Sequence, residues 1–198
     1  MSEKLPVHRT GFIRQTEGAN PIPLYGGPKP SEVSALRFFC IFVSEMAASD
    51  KYPPLNLPPA ALRTRHTGNK PEVWDPLRRK WLVLTPEEWV RQHFIRLLTD
   101  SYGVDPYRIV QEQALSIDGF TYRADIVVYS RQAEPRLVVE CKAATVAITQ
   151  EVFDQVAHYN IRLGVPYLVV TNGLRHYCCE IDHTARSYRF INEIPQHL

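Results

Sequence analysis

The spacing of hydrophobic residues changes along the chain and predicts two amphipathic helices. Between residue 86 and about residue 100 the apolar positions recur at helical spacing, which predicts a helix with one buried side. Thr85 is placed to cap its start, Pro86 suits the first helical position, and Glu88 is placed to complete a capping box. A second helix is predicted over residues 150–163, with Thr149 as its cap and Gly164 just beyond its end. The expected apolar stripes are Val90, Phe94, Leu97 and Leu98 on the first helix, and Val152, Val156, Tyr159 and Leu163 on the second.

Runs rich in Val, Ile, Tyr and Phe predict strands between and after these helices. The pairs Asp118-Gly119 and Asn172-Gly173 are typical of tight turns between antiparallel strands. The predicted strands are residues 108–117, 120–129, 136–141, 167–171, 176–181 and 188–191. The order α-β-β-β-α-β-β predicts an α/β fold in which helices flank a mixed central sheet.

The first third of the chain has no sustained hydrophobic period. Residues 1–50 contain several prolines and predict a poorly structured leader, with at most a short amphipathic helix over residues 34–44. Met46 is the second of two methionines, which leaves translation from Met1 or from Met46 as alternatives. Residues 51–73 are also rich in proline and predict an extended segment. The folded domain is therefore predicted to span residues 74–198.

Composition narrows the class of protein without identifying its function. Twenty-three Lys and Arg residues against 21 Asp and Glu residues give a net charge of +2, so any DNA-binding surface has to come from local clustering. None of the four cysteines forms a C-x-x-C pair, which favours reduced thiols in a cytoplasmic protein. No apolar run approaches the roughly 20 residues that cross a bilayer, so no membrane contact is expected.

The predicted second and third strands bring charged residues together. The loop between them has its midpoint at residue 133, which places position 125 opposite position 141, give or take one residue. Asp125 is then beside Glu140 and Lys142, which share one face of the third strand because side chains alternate along a strand. The apolar neighbours of these residues indicate burial, whereas an Asp beside a Lys on a hairpin is more often a surface ion pair.

Buried ionised groups need partners, because removing a charge from water costs more than a typical domain's stability. A divalent cation held by Asp125 and Glu140 would meet this need. Oxygen ligands favour Mg²⁺ or Mn²⁺, and no set of His and Cys residues argues for zinc. Lys142 would orient a water or stabilise negative charge on a phosphate.

These residues carry a resemblance to a known superfamily. Arg-Ala-Asp125-Ile-Val-Val and Val-Val-Glu140-Cys-Lys142-Ala resemble the PD-(D/E)XK nuclease motif, and Gln155-Val-Ala-His-Tyr159 is similar to the Q-x-x-x-Y motif of one subgroup. The order of elements over residues 74–180 and the run at residues 85–92, Thr-Pro-Glu-Glu-Trp-Val-Arg-Gln, resemble the N-terminal nuclease domain of type I restriction enzyme restriction subunits, and more closely small stand-alone relatives of it. The resemblance implies a restriction-endonuclease-like α-β-β-β-α-β core and a catalytic set of Asp125, Glu140, Lys142 and Gln155.

The resemblance also implies that an acidic residue of the first helix approaches the metal. Helical geometry places Glu87 on the side of Val90 and Phe94, whereas Glu88 lies on the flank with a capping role, so Glu87 is preferred and Glu88 stays open. Glu112, on the first strand, is a further candidate. Tyr159 is balanced between a site residue and plain core, and His158, Cys178 and Cys179 are interpreted as structural.

The preferred function is hydrolysis of phosphodiester bonds in DNA by a metal-activated water. The chain lacks a G-x-x-x-x-G-K-[ST] phosphate loop, so no nucleotide site and no ATP motor are visible in it. In a restriction system, other subunits would supply the motor and target recognition. The alternative is a non-catalytic module that keeps the fold and binds nucleic acid or a partner protein. Basic residues at 63–65 and 78–80 would contact phosphates under either hypothesis, although solvated surface charge is their commoner meaning.

Overall fold

A computed structural model describes residues 51–117, 119–196 and 198 of the chain. The predicted leader over residues 1–50, the alternative start at Met46 and the turn residue Asp118 lie outside these residues. None of the helices in the described ranges is long and apolar enough to cross a membrane.

A mixed six-stranded sheet forms the centre of the structure and confirms the predicted α/β class. Its strands lie side by side in chain order, and every neighbouring pair is antiparallel except the third and fourth strands, which are parallel. A parallel pair needs a crossover connection, and the second helix supplies it. The strands are β4 (Ile109–Ile117), β5 (Phe120–Tyr129), β6 (Pro135–Cys141), β7 (Tyr167–Thr171), β8 (His176–Asp182) and β9 (Ser187–Ile191).

The first helix, α1 (Pro86–Arg96), begins where the sequence predicts. The Thr85 side-chain oxygen accepts a hydrogen bond from the backbone N–H of Glu88 at 3.0 Å, and Pro86 follows in the first turn. Past Arg96 the chain continues as a short π-helical turn, Leu97–Ser101. The whole predicted apolar stripe is buried, namely Val90, Phe94, Leu97 and Leu98.

The second helix, α2 (Gln150–Leu163), has the predicted ends, but its buried side differs from the predicted apolar stripe. The Thr149 hydroxyl accepts from the N–H of Val152, and Gly164 ends the helix in the left-handed region with φ 70°. Of the predicted stripe only Val156 is buried. The helix turns toward an aromatic cluster that Phe153 forms with residues of β8 and β9, and its buried side is Phe153, Val156, Ala157 and Asn160.

The two helices cover opposite faces of the six-stranded sheet. One core cluster joins α1 to side chains such as Ile126 and Val139, and the other joins α2 to side chains such as Val127 and Val138. Successive residues of β5 and β6 are therefore buried on both faces, which explains their continuous apolar runs. The charged residues at the ends of these runs are held by a fully packed pair of strands.

The N-terminal part of the described chain corrects the prediction of an extended segment over residues 51–73. A three-stranded antiparallel sheet forms there, with β1 (Thr64–Thr67), β2 (Lys70–Asp75) and β3 (Lys80–Val83). The fold also begins before residue 74, because Tyr52 is buried and donates a hydrogen bond to the carbonyl of Leu84 at 2.6 Å. Prolines favour extended backbone, and strands of four to six residues are too short to show a period against that background.

Candidate active site

The hairpin of β5 and β6 places Asp125 beside Glu140. Ile126 is paired with Val139, and the same register extended by one residue pairs Asp125 with Glu140, within the predicted tolerance of one residue. Tyr129 pairs with Pro135, so the turn is centred at residue 132 and not at residue 133, and a register shift between Val128 and Tyr129 reduces the resulting difference to one residue. One carboxylate oxygen of Asp125 accepts a hydrogen bond from the backbone N–H of Cys141 at 2.8 Å.

Both carboxylate oxygens of Glu140 have hydrogen-bond donors. Lys142 Nζ lies 2.6 Å from Oε1, and the Tyr122 hydroxyl donates to Oε2 at 2.5 Å. The Lys142 side chain is 29% exposed and that of Glu140 is 13% exposed, so the pair reaches the surface on the lysine side. Tyr122 was missed in the sequence analysis, because a tyrosine in an apolar strand gives no sign that its hydroxyl meets a carboxylate.

Arg91 of α1 lies among four carboxylates and was also missed. Its guanidinium is 2.8 Å from Glu112, 3.1 Å from Glu87 and 3.3 Å from both Glu88 and Asp125. The side chain is only 6% exposed, and its Nε has no hydrogen-bond partner among the described residues. Burial opposes the charge on Arg91, but the nearby carboxylates outweigh burial and raise its pKa. Arg91 is therefore the internal counter-ion of these four carboxylates, which together with Glu140 we call the acidic cluster.

The two glutamates of the first helical turn have different environments. Glu88 is buried and held by Arg78, Arg91 and Gln92, the last through a 2.8 Å hydrogen bond. The Glu87 side chain is 44% exposed, and its charge raises the pKa of Asp125, so its carboxylate faces the cluster. Glu87 is thus the more exposed of the two alternatives, and its carboxylate contacts Arg91 at 3.1 Å.

Electrostatics at Asp125 are unfavourable for its ionised form. Burial, followed by the charge of Glu140, raises the pKa of Asp125 to about 7, although Arg91 and the N–H of Cys141 act in the opposite direction. Burial lowers the pKa of Lys142, but its hydrogen bond to Glu140 and the surrounding carboxylates produce a net rise. Lys142 is thus a cation throughout the physiological pH range.

Glu112 joins the cluster through guanidinium groups. It accepts hydrogen bonds from Arg91 at 2.8 Å and Arg123 at 2.5 Å, and Arg78 lies 3.3 Å away. These contacts lower the pKa of Glu112 to about 2. Its φ of 52° is in the left-handed region, which costs a non-glycine residue about 1–3 kcal/mol. Because its oxygens contact arginines, Glu112 holds Arg78, Arg91 and Arg123 beside the cluster.

The residues predicted on α2 are less closely connected to the cluster. Gln155 is exposed, and no hydrogen bond within the described part of the chain joins it to Asp125 or Glu140. Tyr159 stacks on Tyr122 with ring centroids 5.3 Å apart, so it supports the residue that contacts Glu140. His158 is exposed, whereas Cys178 and Cys179 are buried free thiols in the core.

The donor set fits a hard divalent cation held by two carboxylates. Within residues 51–117 and 119–196, no group of three or more His, Cys, Asp or Glu side chains is arranged to hold a metal ion. Mg²⁺ nevertheless keeps several waters and commonly uses one or two carboxylates together with substrate phosphates. Asp125 and Glu140 would supply such a pair, and a cation would offset the burial and the charge of Glu140 that raise the pKa of Asp125.

Comparison with known proteins agrees with the resemblance drawn from the motifs. Residues 86–195 match the family described as the type I restriction enzyme R protein N terminus. The chain belongs to this family. A solved fragment described as the HsdR subunit of a type I restriction enzyme from Vibrio vulnificus YJ016 is similar at 21% identity with a TM-score of 0.41, and the match covers 55% of this chain and 23% of that chain. The chain thus spans about a quarter of the length of that relative. A search of curated proteins gives no significant match.

The family match covers only part of the described structure. It begins at Pro86 and includes both helices and the six-stranded sheet, so it contains the whole acidic cluster, whereas Arg78 precedes it. Strands β1 to β3 precede it. The small sheet is therefore a part of this chain for which the family match provides no counterpart.

Proposed function

We propose that this protein is a metal-dependent DNA nuclease that hydrolyses phosphodiester bonds. The observation that carries the proposal is the pair Asp125 and Glu140, partly buried side by side at the end of the β5–β6 hairpin, with Lys142 2.6 Å from Glu140. Membership in a restriction-enzyme family makes DNA the expected substrate. The chain contains no phosphate loop for ATP, so any translocation motor and target recognition would come from other restriction-system subunits.

The energetics of the carboxylate pair support a cation. Asp125 is partly buried near a second carboxylate, and its raised pKa indicates that Arg91 and the Cys141 N–H do not fully compensate its charge. An uncompensated buried charge costs several kcal/mol, so such a cluster is retained at a cost in stability. A Mg²⁺ or Mn²⁺ ion held by Asp125 and Glu140 would remove that cost, and when bound it lowers the pKa of a water and polarises a phosphate oxygen.

The side chains around Asp125 and Glu140 have separate proposed roles. Tyr122 and Lys142 hold the two oxygens of Glu140, which fixes the carboxylate's orientation. The ammonium group of Lys142 is partly exposed beside the pair, where it would stabilise negative charge that develops on a phosphate. Glu87 and Gln155 are proposed as further contributors, because Glu87 faces the cluster with a half-exposed carboxylate and Gln155 is exposed on α2.

One observation favours a second candidate, a binding module that does not cut DNA. Arg91 already neutralises part of the cluster by contacting Asp125 and Glu87, and Lys142 does the same for Glu140. A cluster with its own cations is able to persist without metal. Under this alternative the fold would bind DNA or a partner subunit and the carboxylates would only support the structure.

Nuclease assays with the purified full chain distinguish the two candidates. Circular and linear DNA are incubated with Mg²⁺, Mn²⁺ or EDTA, and cutting of the closed circle identifies endonuclease action. Lys142→Ala should lower the rate about 10²–10³-fold, because it removes one electrostatic contributor to the transition state. Lys51→Ala, at an exposed lysine on the edge of the described structure, is the matched control and should cut at the normal rate.

Metal titration by calorimetry provides the second readout. Lys142→Ala should bind Mn²⁺ nearly as well as the unchanged protein, whereas Asp125→Asn should bind it more weakly because it loses a ligand charge. DNA binding without any cleavage in Mg²⁺ or Mn²⁺ would favour the binding module. Cleavage that neither substitution alters would place the activity elsewhere.

A further inference from the structure

The small sheet of β1, β2 and β3 has one buried face and one exposed face. Val73 and Leu82 point inward and pack with Tyr52 and Trp89. Alternation along the strands turns the residues between them outward. The outward row contains two arginines from the β1 strand and its preceding residue and two tryptophans from β2 and β3, and we call it the Arg–Trp face: Arg63, Arg65, Trp74 and Trp81.

Cross-strand pairing brings the four side chains into contact. Trp74 is directly opposite Trp81, with ring centroids 5.6 Å apart. The backbone N–H of Trp74 donates to the carbonyl of Arg63 at 2.8 Å, which places Arg63 on the same row. The Arg63 guanidinium lies 5.8 Å and 5.3 Å from the centroids of Trp74 and Trp81, and that of Arg65 lies 4.2 Å from Trp81. The face therefore alternates cations and aromatic rings.

The surroundings of the face are basic and accessible. Arg63 and Lys70 are exposed, and the side chain of Arg65 is 46% exposed. Glu72 is the one carboxylate on the outward side of β2, and it pairs with Arg65 at 2.6 Å. Val83, opposite Glu72, is 52% exposed, so the apolar surface continues past the tryptophans. Positive charge exceeds negative charge on this side of the sheet.

The Arg–Trp face is joined to the acidic cluster through the end of β2. Asp75 follows Trp74, is fully buried, and accepts hydrogen bonds from Arg78 at 2.6 Å and Gln111 at 2.8 Å. Arg78 in turn lies 3.3 Å from Glu112, which accepts from Arg91. The tryptophan pair is thus at the end of the sheet that adjoins the cluster. The turn between β2 and β3 ends there in two exposed basic residues, Arg79 and Lys80.

We propose that the Arg–Trp face binds an unpaired stretch of DNA beside the acidic cluster. The indoles would stack on bases, and the arginines that rest on them would move to phosphates, the combination by which proteins hold single strands. Duplex DNA keeps its bases stacked inside and offers only phosphates to such a face. An acidic peptide would use the arginines but would leave the paired indoles without a role. The choice of DNA over RNA rests on the proposed function.

Tryptophan fluorescence measures this binding without cleavage. The chain has three tryptophans, and the third, Trp89, is buried with its indole N–H bonded to the carbonyl of Pro53, so quenching by a bound base reports on the face. The full chain in EDTA is titrated with oligothymidylate, with a duplex of equal length and with polyglutamate. We expect tight quenching by the single strand and weaker binding of the other two probes.

Substitutions on the face give the quantitative test. Trp81→Leu should weaken oligothymidylate binding about fivefold to a hundredfold, the range found when one base no longer stacks on an aromatic side chain. Arg63→Gln combined with Arg65→Gln should lower the slope of log affinity against log salt by about 0.7 for each phosphate that the arginines no longer neutralise.

Tyr107→Ala, at an aromatic residue 97% exposed outside the face, and Arg131→Gln, at an exposed loop arginine, are the matched controls and should bind normally. Circular dichroism checks that each variant is folded, and fluorescence anisotropy of labelled DNA replaces quenching where a tryptophan is removed.

Each outcome has a defined meaning for the proposal. Unchanged affinity and salt slope in both face variants would overturn it, and so would equal affinity for duplex and single strand or displacement of the DNA by polyglutamate. These results leave the nuclease proposal intact where Lys142-dependent cleavage persists. If face-dependent binding of the single strand is found but the unchanged protein never cleaves, the Arg–Trp face stands and the nuclease proposal fails.

Discussion

Replacing Asp125 with Asn should stabilise the metal-free protein at neutral and alkaline pH while it weakens metal binding. The reason is the environment of the carboxylate, which is 15% exposed and raised in pKa to about 7 by burial and by Glu140. Above that pH the folded protein contains an ionised group that its surroundings disfavour. Asparagine keeps a similar shape and an oxygen for the Cys141 N–H, but it has no charge.

The sign and size of the effect follow from proton linkage. The pKa of Asp125 is 3.8 in the unfolded chain and about 7 in the folded protein, so the folded state binds the proton more tightly between these values. Stability of the unchanged protein therefore falls as pH rises from about 4 to about 7 and then levels off. One pKa unit corresponds to about 1.4 kcal/mol, which sets an upper limit of about 4 kcal/mol, and residual solvation of the side chain lowers the expectation to about 2–4 kcal/mol.

Urea unfolding at several pH values in EDTA measures this difference. The free energy of unfolding of Asp125→Asn should match that of the unchanged protein near pH 4 and exceed it by about 2–4 kcal/mol at pH 8. Asp100→Asn, at an exposed carboxylate outside the cluster, is the control and should leave the free energy of unfolding at pH 8 nearly unchanged. Adding Mg²⁺ should stabilise the unchanged protein and reduce the gap, because a ligand that binds only the folded state stabilises it. A variant that is less stable at pH 8, or a difference that does not vary with pH, would refute the reasoning.

Two further substitutions test the groups around the carboxylates. Arg91→Met should destabilise the metal-free protein by about 3–5 kcal/mol, because it leaves the buried Glu88 and the partly buried Asp125 without their cation, and Mg²⁺ should recover part of the loss in urea unfolding. An equal loss with and without Mg²⁺ would show that Arg91 acts only through packing. Tyr122→Phe should weaken Mn²⁺ binding or cleavage about 10–100-fold, since it removes the hydroxyl that orients Glu140, while stability changes by only about 1 kcal/mol. Calorimetry that gives unchanged metal affinity, together with an unchanged cleavage rate, would contradict that orienting role.

Local chemistry explains which parts of the fold could be predicted from the sequence. Thr85 and Thr149 cap their helices through side-chain oxygens, and these bonds depend only on residues three positions away. The pairing of Asp125 with Glu140 depends on a short loop and a two-residue period, so simple counting finds it within one residue. Each of these features is set by neighbours in the sequence.

Features that depend on distant contacts could not be predicted in the same way. Strand β2 is paired on both sides and packs on Tyr52 and Trp89, but its six residues include Pro71 and show no clear period. Arg91 is next to Val90 on a helix and would ordinarily be assigned to the solvent side. Its burial depends on Glu112 of β4 and Asp125 of β5, which lie 21 and 34 positions further along the chain.

The position of Arg91 also bears on how a metal would enter the site. Its guanidinium contacts one oxygen of Asp125 at 3.3 Å, and the other oxygen accepts from the Cys141 N–H, so both oxygens of this carboxylate are already engaged. A cation that binds Asp125 has to share an oxygen with Arg91 or displace it toward Glu87, Glu88 and Glu112. Displacement is inexpensive, because those three carboxylates already hold the same guanidinium at 2.8–3.3 Å. Arg91 would therefore stabilise the cluster before the proposed metal binds and would remain paired with the other carboxylates afterwards.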